Sequence, residues 1–185
     1  SKAEMEGVMR EIAAPIPCTI LRPPTAYGPR DKDTRALFAL AKRGLRVSLN
    51  KKSRLSFLYA KNLAQAVVCC VERTAAWGGD FMLADGAPLT WGEFTAMIAQ
   101  AAVRPGLAVN LPPWLLTAAA GAATLLQPFS RKPHLITKDK VLEGRQHLWI
   151  ADTKKTETIL GFHPQWTTAQ GIAETYSWYE SQGWI

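Results

Sequence analysis

The sequence predicts an α/β fold, and three observations carry that expectation. Helical and strand-like patterns alternate along the chain, as α/β domains require. The stretch Thr19 to Pro29 reads TILRPPTAYGP, an apolar β-type run entering a double proline and then a Tyr-Gly-Pro turn. Such a run reads as a buried strand that delivers a shaped loop to its end, and in open α/β sheets ligands bind at the carboxyl ends of strands. Two capping boxes, Thr90 to Glu93 and Thr167 to Gln170, mark helix starts.

In chain order, Met5, Val8, Met9 and Ile12 repeat at three and four residues, which predicts a helix over 2–13 that Pro15 and Pro17 stop. A strand at 18–22 leads through a loop to Asp33. A helix over about 34–43 follows and ends at Gly44. Leu45 to Leu49 and Leu55 to Tyr59 are short strands around a basic turn. Asn62 is expected to cap a helix from Leu63 to Arg73, because its side chain can accept a bond from an orphan amide. Gly78-Gly79 turns into a strand at 80–84, and the first capping box opens a helix to about Val103. A brief strand at 107–111 passes through Pro112-Pro113 into an Ala/Leu-rich helix ending near Gln127. Helices near 137–143, 153–160 and 168–182 complete the chain.

Composition bounds the function. A chain of 185 residues, 48% hydrophobic and 20% charged, holds one good core or two small lobes sharing one. Cys18, Cys69 and Cys70 show neither metal-ligand nor disulfide spacing and read as filler in a reducing compartment, which points to the cytoplasm. The net charge of +7 comes from short, scattered clusters such as Lys51-Lys52-Ser53-Arg54, with no RNA-binding signature, so a solvated basic surface is expected and not a nucleic-acid partner. Trp114 to Leu126 is uncharged, but its thirteen residues rise only about 20 Å as a helix against a ~30 Å hydrocarbon core. It reads first as a packed helix, then as a lid over an apolar substrate or a peripheral membrane contact, and not as a span. His134, His147 and His163 have no paired ligand spacing, so no metal is assigned.

Four motifs in order resemble the extended short-chain dehydrogenases/reductases, the NAD-dependent epimerase/dehydratase family. Ser1-Lys2-Ala3-Glu4 looks like the tail of that family's Tyr-x-x-Ser-Lys motif, and Thr19 to Pro29 resembles the signature after its sixth strand. Phe57 to Ala64 resembles Phe-x-(His/Tyr)-Val-Asp-(Asp/Asn)-Leu-Ala, with Ala60 in place of valine and Lys61 in place of the first acid. Ala151 to Lys155 with Leu160 to Pro164 resembles the late Asp-Thr-Ser-Lys … Leu-Gly-(Phe/Tyr)-x-Pro motif, in which Asp152 caps a helix, Gly161 ends it and Phe162 pins the next loop.

The resemblance covers nearly all of this chain but only about the second half of a whole family member. It implies the C-terminal part of a Rossmann-like parallel sheet (1–30 and 55–76) plus a smaller mixed α/β substrate-binding lobe (31–54 and 77–185). Ser1 would not be a natural start. The catalytic tyrosine would lie three residues before it, and the glycine-rich dinucleotide loop, absent from this sequence, in a missing N-terminal half. The fragment alone would be inactive. The cofactor implied is NAD or NADP.

Within the resemblance, Lys2 is both catalytic and cofactor-binding. It bonds the nicotinamide ribose and lowers the pKa of the tyrosine. A cation about 4 Å from a phenolate gains on the order of 4 kcal/mol at an effective dielectric of ~20, about three pKa units. Pro23, Pro24, Thr25 and Ala26 take the place of the loop beside the nicotinamide, where proline preorganises the backbone and wastes no amide donor. Tyr27, Arg54 and Tyr59 are the implied substrate residues, with Arg54 able to fork a substrate phosphate.

The whole enzyme would transfer hydride between nicotinamide and a carbinol or ketone carbon of a small molecule. The Pro-Pro-Trp-Leu-Leu helix from Pro112 to Leu116 and the following Pro128 to Pro133 segment look most like the sterol-dehydrogenase and flavonoid-reductase branch, which favours an apolar or alicyclic substrate. A nucleotide-sugar epimerase or dehydratase, and a non-catalytic NAD(P)-binding scaffold, are the alternatives. A homodimer is compatible with the resemblance.

Overall fold

A computed structural model describes residues 2–12, 18–48, 53–110 and 148–185. The Ala/Leu-rich segment 114–127, the helix expected near 137–143, the turn at 49–52, His134 and His147 lie outside the described residues, as does the side chain of Lys2.

Helix α1 runs Lys2–Ile12, as the three-four spacing predicts. The expected single strand after it is two short ones, β1 (Ile20–Arg22) and β2 (Thr25–Tyr27), separated by Pro23-Pro24. Proline has no N–H to give a ladder, so pairing lapses at the double proline and the strand changes partner there. β1 pairs in parallel with β6 (Asp80–Met82), and β2 pairs in parallel with β5 (Phe57–Tyr59). Helix α2 (Arg35–Lys42) leads to β3 (Leu45–Ser48), which pairs in parallel with β8 (Leu107–Asn110). The strand expected over 55–59 breaks at Ser56 into β4 (Arg54–Leu55) and β5. β4 pairs antiparallel with β7 (Leu89–Thr90), which was not anticipated from sequence, and parallel with β9 (Leu148–Trp149). Ser56 is what interrupts it: its amide donates to Trp149 O at 2.9 Å, and its Oγ accepts from Ala151 N at 3.1 Å.

Both capping boxes form. Thr90 opens α4 (Trp91–Ala101), accepting from Glu93 N while Glu93 Oε2 accepts from Thr90 N. Thr167 opens α5 (Thr168–Ser181) in the same way with Gln170. Gly161 ends the helical turn at 156–160 with a left-handed φ of 59°, and Asp152 Oδ1 accepts from Lys154 N just before that turn. The expectation for Asn62 needs correction. Helix α3 runs Ala60–Glu72, so Asn62 sits inside its first turn, and its side chain is occupied by tertiary partners.

β5 divides two cores by strand alternation. Phe57 and Tyr59 join an aromatic cluster with Tyr27, Phe38, Phe94, Ile98, Ile172 and Tyr179. Leu58, on the other face, joins Ala66, Ala76, Phe81, Leu83, Leu160 and Phe162. In the first cluster Phe57 and Phe94 stack at 4.0 Å, and Tyr27 meets Phe94 edge-on at 5.3 Å. Phe81 of β6 and the 160–162 turn therefore pack on the same side of β5 as α3.

Candidate functional site

The parallel ends of β2 and β5 form the first part of the site. Pro23 and Ala26 are exposed, Pro24 and Thr25 half-buried. The strand closes tightly on α3 at Gly28, where a β-carbon would stand 2.7 Å from that of Ala60. Tyr27 and Tyr59 turn inward. They are 1% and 0% exposed, so neither ring has a face open to a solute in this conformation. Tyr27 Oη lies 3.2 Å from Asp85 Oδ2 and 3.1 Å from Thr168 O, and its burial beside that carboxylate pushes its pKa far up. Tyr59 Oη is buried near Glu174 without a hydrogen bond of good geometry.

Asp85, which sequence reading did not single out, is the hub of this region. Its carboxylate accepts from Tyr59 N at 2.8 and 3.0 Å, from Asn62 Nδ2 at 2.7 Å and from Tyr27 Oη. Asn62 in turn donates to Trp166 O and accepts from the amides of Gln165 and Trp166, at 2.8, 3.1 and 3.2 Å. The network ties β2, β5, α3 and the entry to α5 into one unit. Burial raises the Asp85 pKa, and the hydrogen bonds from Asn62, Tyr59 and Tyr27 only partly offset it. In sequence, Ala84-Asp85-Gly86 reads as an ordinary turn. Its partners stand 23 to 58 residues away, beyond any local pattern.

A cavity of about 310 Å³ lies between β3, β8 and the start of α4, lined by Arg46, Ser48, Thr90, Gly92, Thr95, Ala108 and Asn110. No acidic residue is among those described lining it. Arg46 Nε and Ser48 Oγ are buried without hydrogen-bond partners, each an omission that ordinarily costs ~1–3 kcal/mol. Arg54, exposed on β4, is the register partner of Thr90 in this wall, and its guanidinium donates to Pro88 O at 3.3 Å. The structure thus brings Arg54 beside the cavity, while Thr25, Ala26, Tyr27 and Tyr59 belong to the β2–β5 pair and Pro23-Pro24 to the link between β1 and β2.

Lys2 is the first residue of α1. One turn further on, Glu6 receives Arg22 bidentately at 2.6 and 3.0 Å, and the same guanidinium reaches Asp80 at 2.5 Å. Lys155 also bonds Asp80 at 3.0 Å. Arg22 holds the Glu6 carboxyl below its ordinary range, while Lys155 and then Arg22 do the same for Asp80. This clamp fixes the helix that carries Lys2 against β1 and β6. Among the described residues no cluster of His, Cys, Asp and Glu could hold a metal ion, and no helix is long and apolar enough to cross a membrane.

With this geometry established, comparison with known proteins gives a consistent picture. No protein-family model matches the chain. It is 26% identical over 183 residues to a UDP-glucose 4-epimerase of Vibrio cholerae, covering 95% of this chain and 51% of that protein. It is 28% identical to a ceramide reductase of Caulobacter vibrioides, covering 100% of this chain and 57% of that one. The chain therefore spans about half the length of these curated relatives. Among solved structures, a UDP-glucose 4-epimerase of Thermotoga maritima with UDP-glucose matches 97% of this chain and 50% of its own, with a TM-score of 0.67 and 18% identity. A UDP-glucuronic acid 4-epimerase of Bacillus cereus in complex with NAD matches 98% and 51%, with a TM-score of 0.69 and 16% identity. The fold is the Rossmann-like one of the NAD-dependent epimerases and dehydratases. In sequence the chain is similar both to an epimerase and to a reductase.

Proposed function

We propose that this chain carries the substrate lobe and the active-site lysine of an NAD(P)-dependent enzyme acting on a carbinol or ketone carbon, the catalytic tyrosine and dinucleotide loop being supplied by a preceding segment. The observation that carries the reading is the link between β1 and β2, at the carboxyl end of β1. Its exposed Pro23 and neighbouring Pro24 offer carbonyls and no amides, which fits the amide donors of a nicotinamide carboxamide. The bound nicotinamide supplies the hydride acceptor or donor. Pro23, Pro24, Thr25 and Ala26 border it, and the Lys2 ammonium lowers the pKa of the tyrosine that takes or gives the hydroxyl proton. Tyr27 and Tyr59 support the site from within the core. NAD is favoured over NADP, since solved relatives are described with NAD.

The preference for an apolar or alicyclic substrate rests on residues 112–133, which lie outside the described residues, and on likeness to a ceramide reductase. The described cavity is polar, with Arg54 at its edge, and that favours the second reading, a nucleotide-sugar epimerase or dehydratase. The test uses the protein with whatever sequence its gene encodes before Ser1, titrated with NADH and assayed on UDP-glucose and on an alicyclic ketone. NADH binding with turnover that Lys2→Met abolishes is the expected result. NADH binding without turnover on any carbinol or ketone would leave a scaffold of the same fold, and no NADH binding would end the proposal.

A further inference from the structure

We infer that the turn joining α4 to β8, with the end of α2 beside it, docks on an anionic lipid surface. Val103 and Leu107 stand out from this turn at 90% and 69% exposure. Val103 follows α4 in left-handed backbone, with a φ of 53°. That conformation favours glycine and is strained for a β-branched residue, so the fold gains nothing from a valine here. The turn itself is closed. Val103 N donates to Gln100 O at 2.9 Å and Arg104 N to Ala99 O at 3.0 Å, which presents the valine to solvent without unwinding the helix.

The cations beside these two side chains decide the partner. α2 ends against the same turn: Leu107 N donates to Gly44 O at 2.8 Å, and a β-carbon on Gly106 would stand 3.2 Å from Gly44 C and O. Arg43 and Arg104 therefore border the patch from its two strands of chain. Both are exposed, and neither side chain has an ion-pair or hydrogen-bond partner among the described residues. Residues 35–48 and 94–110 hold Arg35, Lys42, Arg43, Arg46 and Arg104 and no acid. Glu180, which reaches the end of α2 from α5, is engaged by Lys42 at 3.2 Å. Beyond Arg104 the sequence carries no charged side chain until Arg131. Such a face is complementary to a negatively charged surface. Two apolar side chains fall far short of the about 1,000 Å² that a stable protein interface buries. A bilayer asks less: shallow insertion of a few apolar side chains, with the neighbouring cations drawn to anionic headgroups. The inference does not rest on the function proposed above.

Flotation with vesicles of equal parts phosphatidylglycerol and phosphatidylcholine tests the docking, using the protein with whatever sequence its gene encodes before Ser1. Binding is expected to these vesicles and not to phosphatidylcholine alone, and it should fall as salt is raised. Arg43→Gln combined with Arg104→Gln should weaken it at least about ten-fold, with the unfolding midpoint unchanged. Val103→Gly separates docking from folding. It should melt higher, because the backbone strain is relieved, and bind several-fold more weakly, because the apolar tip is gone. Val71→Ser, on α3 at 72% exposure, should bind as the parent does. Absence of binding to the mixed vesicles overturns the inference. So does equal binding to neutral vesicles, unchanged binding by Val103→Gly, or a loss in Val71→Ser as large as that of the arginine variant. Retention on polyglutamate by a protein that ignores the vesicles would point to an acidic protein partner and equally overturn the lipid surface. Failure of NADH binding with vesicle binding intact would sink the proposed function alone, and the converse would sink only this docking face.

Discussion

Helices α1 and α5 are attached to neighbouring strand pairs, β1–β6 and β2–β5, by different physics. α5 buries Ile172, Thr175, Tyr176 and Tyr179, starts with a complete capping box, and stacks Tyr179 on Trp184. Its Tyr179 hydroxyl reaches back to Gly28 O and Asp31 O, at 3.1 and 2.5 Å, so that the C-terminal helix holds the end of the β2 loop. α1 exposes its apolar residues, Met5 at 66%, Val8 at 53% and Met9 at 48%, and is held on the sheet through the Glu6–Arg22–Asp80 clamp. Apolar burial is insensitive to salt and pH, whereas partly exposed ion pairs are screened by one and titrated by the other. The seating of the helix bearing Lys2 is thus more sensitive to salt and acid than the scaffold around the aromatic core.

The contrast can be broken first at α5. Ile172→Ala, in a fully enclosed position, should cost about 2–5 kcal/mol in urea unfolding. Next is Gly171→Ala, which would place a β-carbon 2.7 Å from Tyr27 Oη and 2.7 Å from the Tyr59 ring. Overpacking of this kind costs ~1–3 kcal/mol and should outweigh the ~1 kcal/mol that alanine gains in a helix. A more stable variant by calorimetry would mean that the tyrosine pair is not tightly enclosed.

Asp85→Asn sharpens the comparison through pH. The folded Asp85 pKa lies above the ordinary carboxylate value of ~4, so the folded chain retains a proton that the unfolded chain has released. Its contribution to stability is full below that value and is lost as pH rises through the folded pKa. The variant should be destabilised by ~1–3 kcal/mol through its weakened network, and that falling slope should vanish from its stability–pH profile. Smallest is Arg22→Met. Glu6 and Asp80 titrate below their ordinary range, so the clamp is full above pH ~4 and fails as pH falls through the depressed values. The variant's unfolding midpoint should stay close to that of the parent, while the amide protection factors of α1 at neutral pH fall to those the parent shows in acid or high salt. Unchanged exchange would show that α1 is held by something other than this clamp.

What the sequence made legible were the features whose determinants are local. Thr90 and Thr167 announce their helices because the capping partner is three residues away, and Gly161 announces a stop because left-handed backbone favours glycine. The same local logic misplaced Asn62. A helix-start asparagine reads as a cap, while its true partners are Asp85 and residues 165 and 166, about a hundred positions further on. Arg46 and Ser48 went unnoticed for a related reason. A lone arginine and serine in a short strand are unremarkable until the fold leaves two of their atoms buried and unpaired. The residue pattern from 19 to 29 did foretell a strand ending in a shaped loop, but not that the double proline would divide it between two neighbours.

That division has a consequence for recognition. Across Pro23 and Pro24 the main chain can accept hydrogen bonds but cannot offer them. Any molecule that meets this stretch of backbone must bring its own N–H or O–H groups, and one that presents only lone pairs finds nothing there to hold it. The double proline therefore acts as a polarity filter written into the strand itself, selecting donors over acceptors before any side chain takes part.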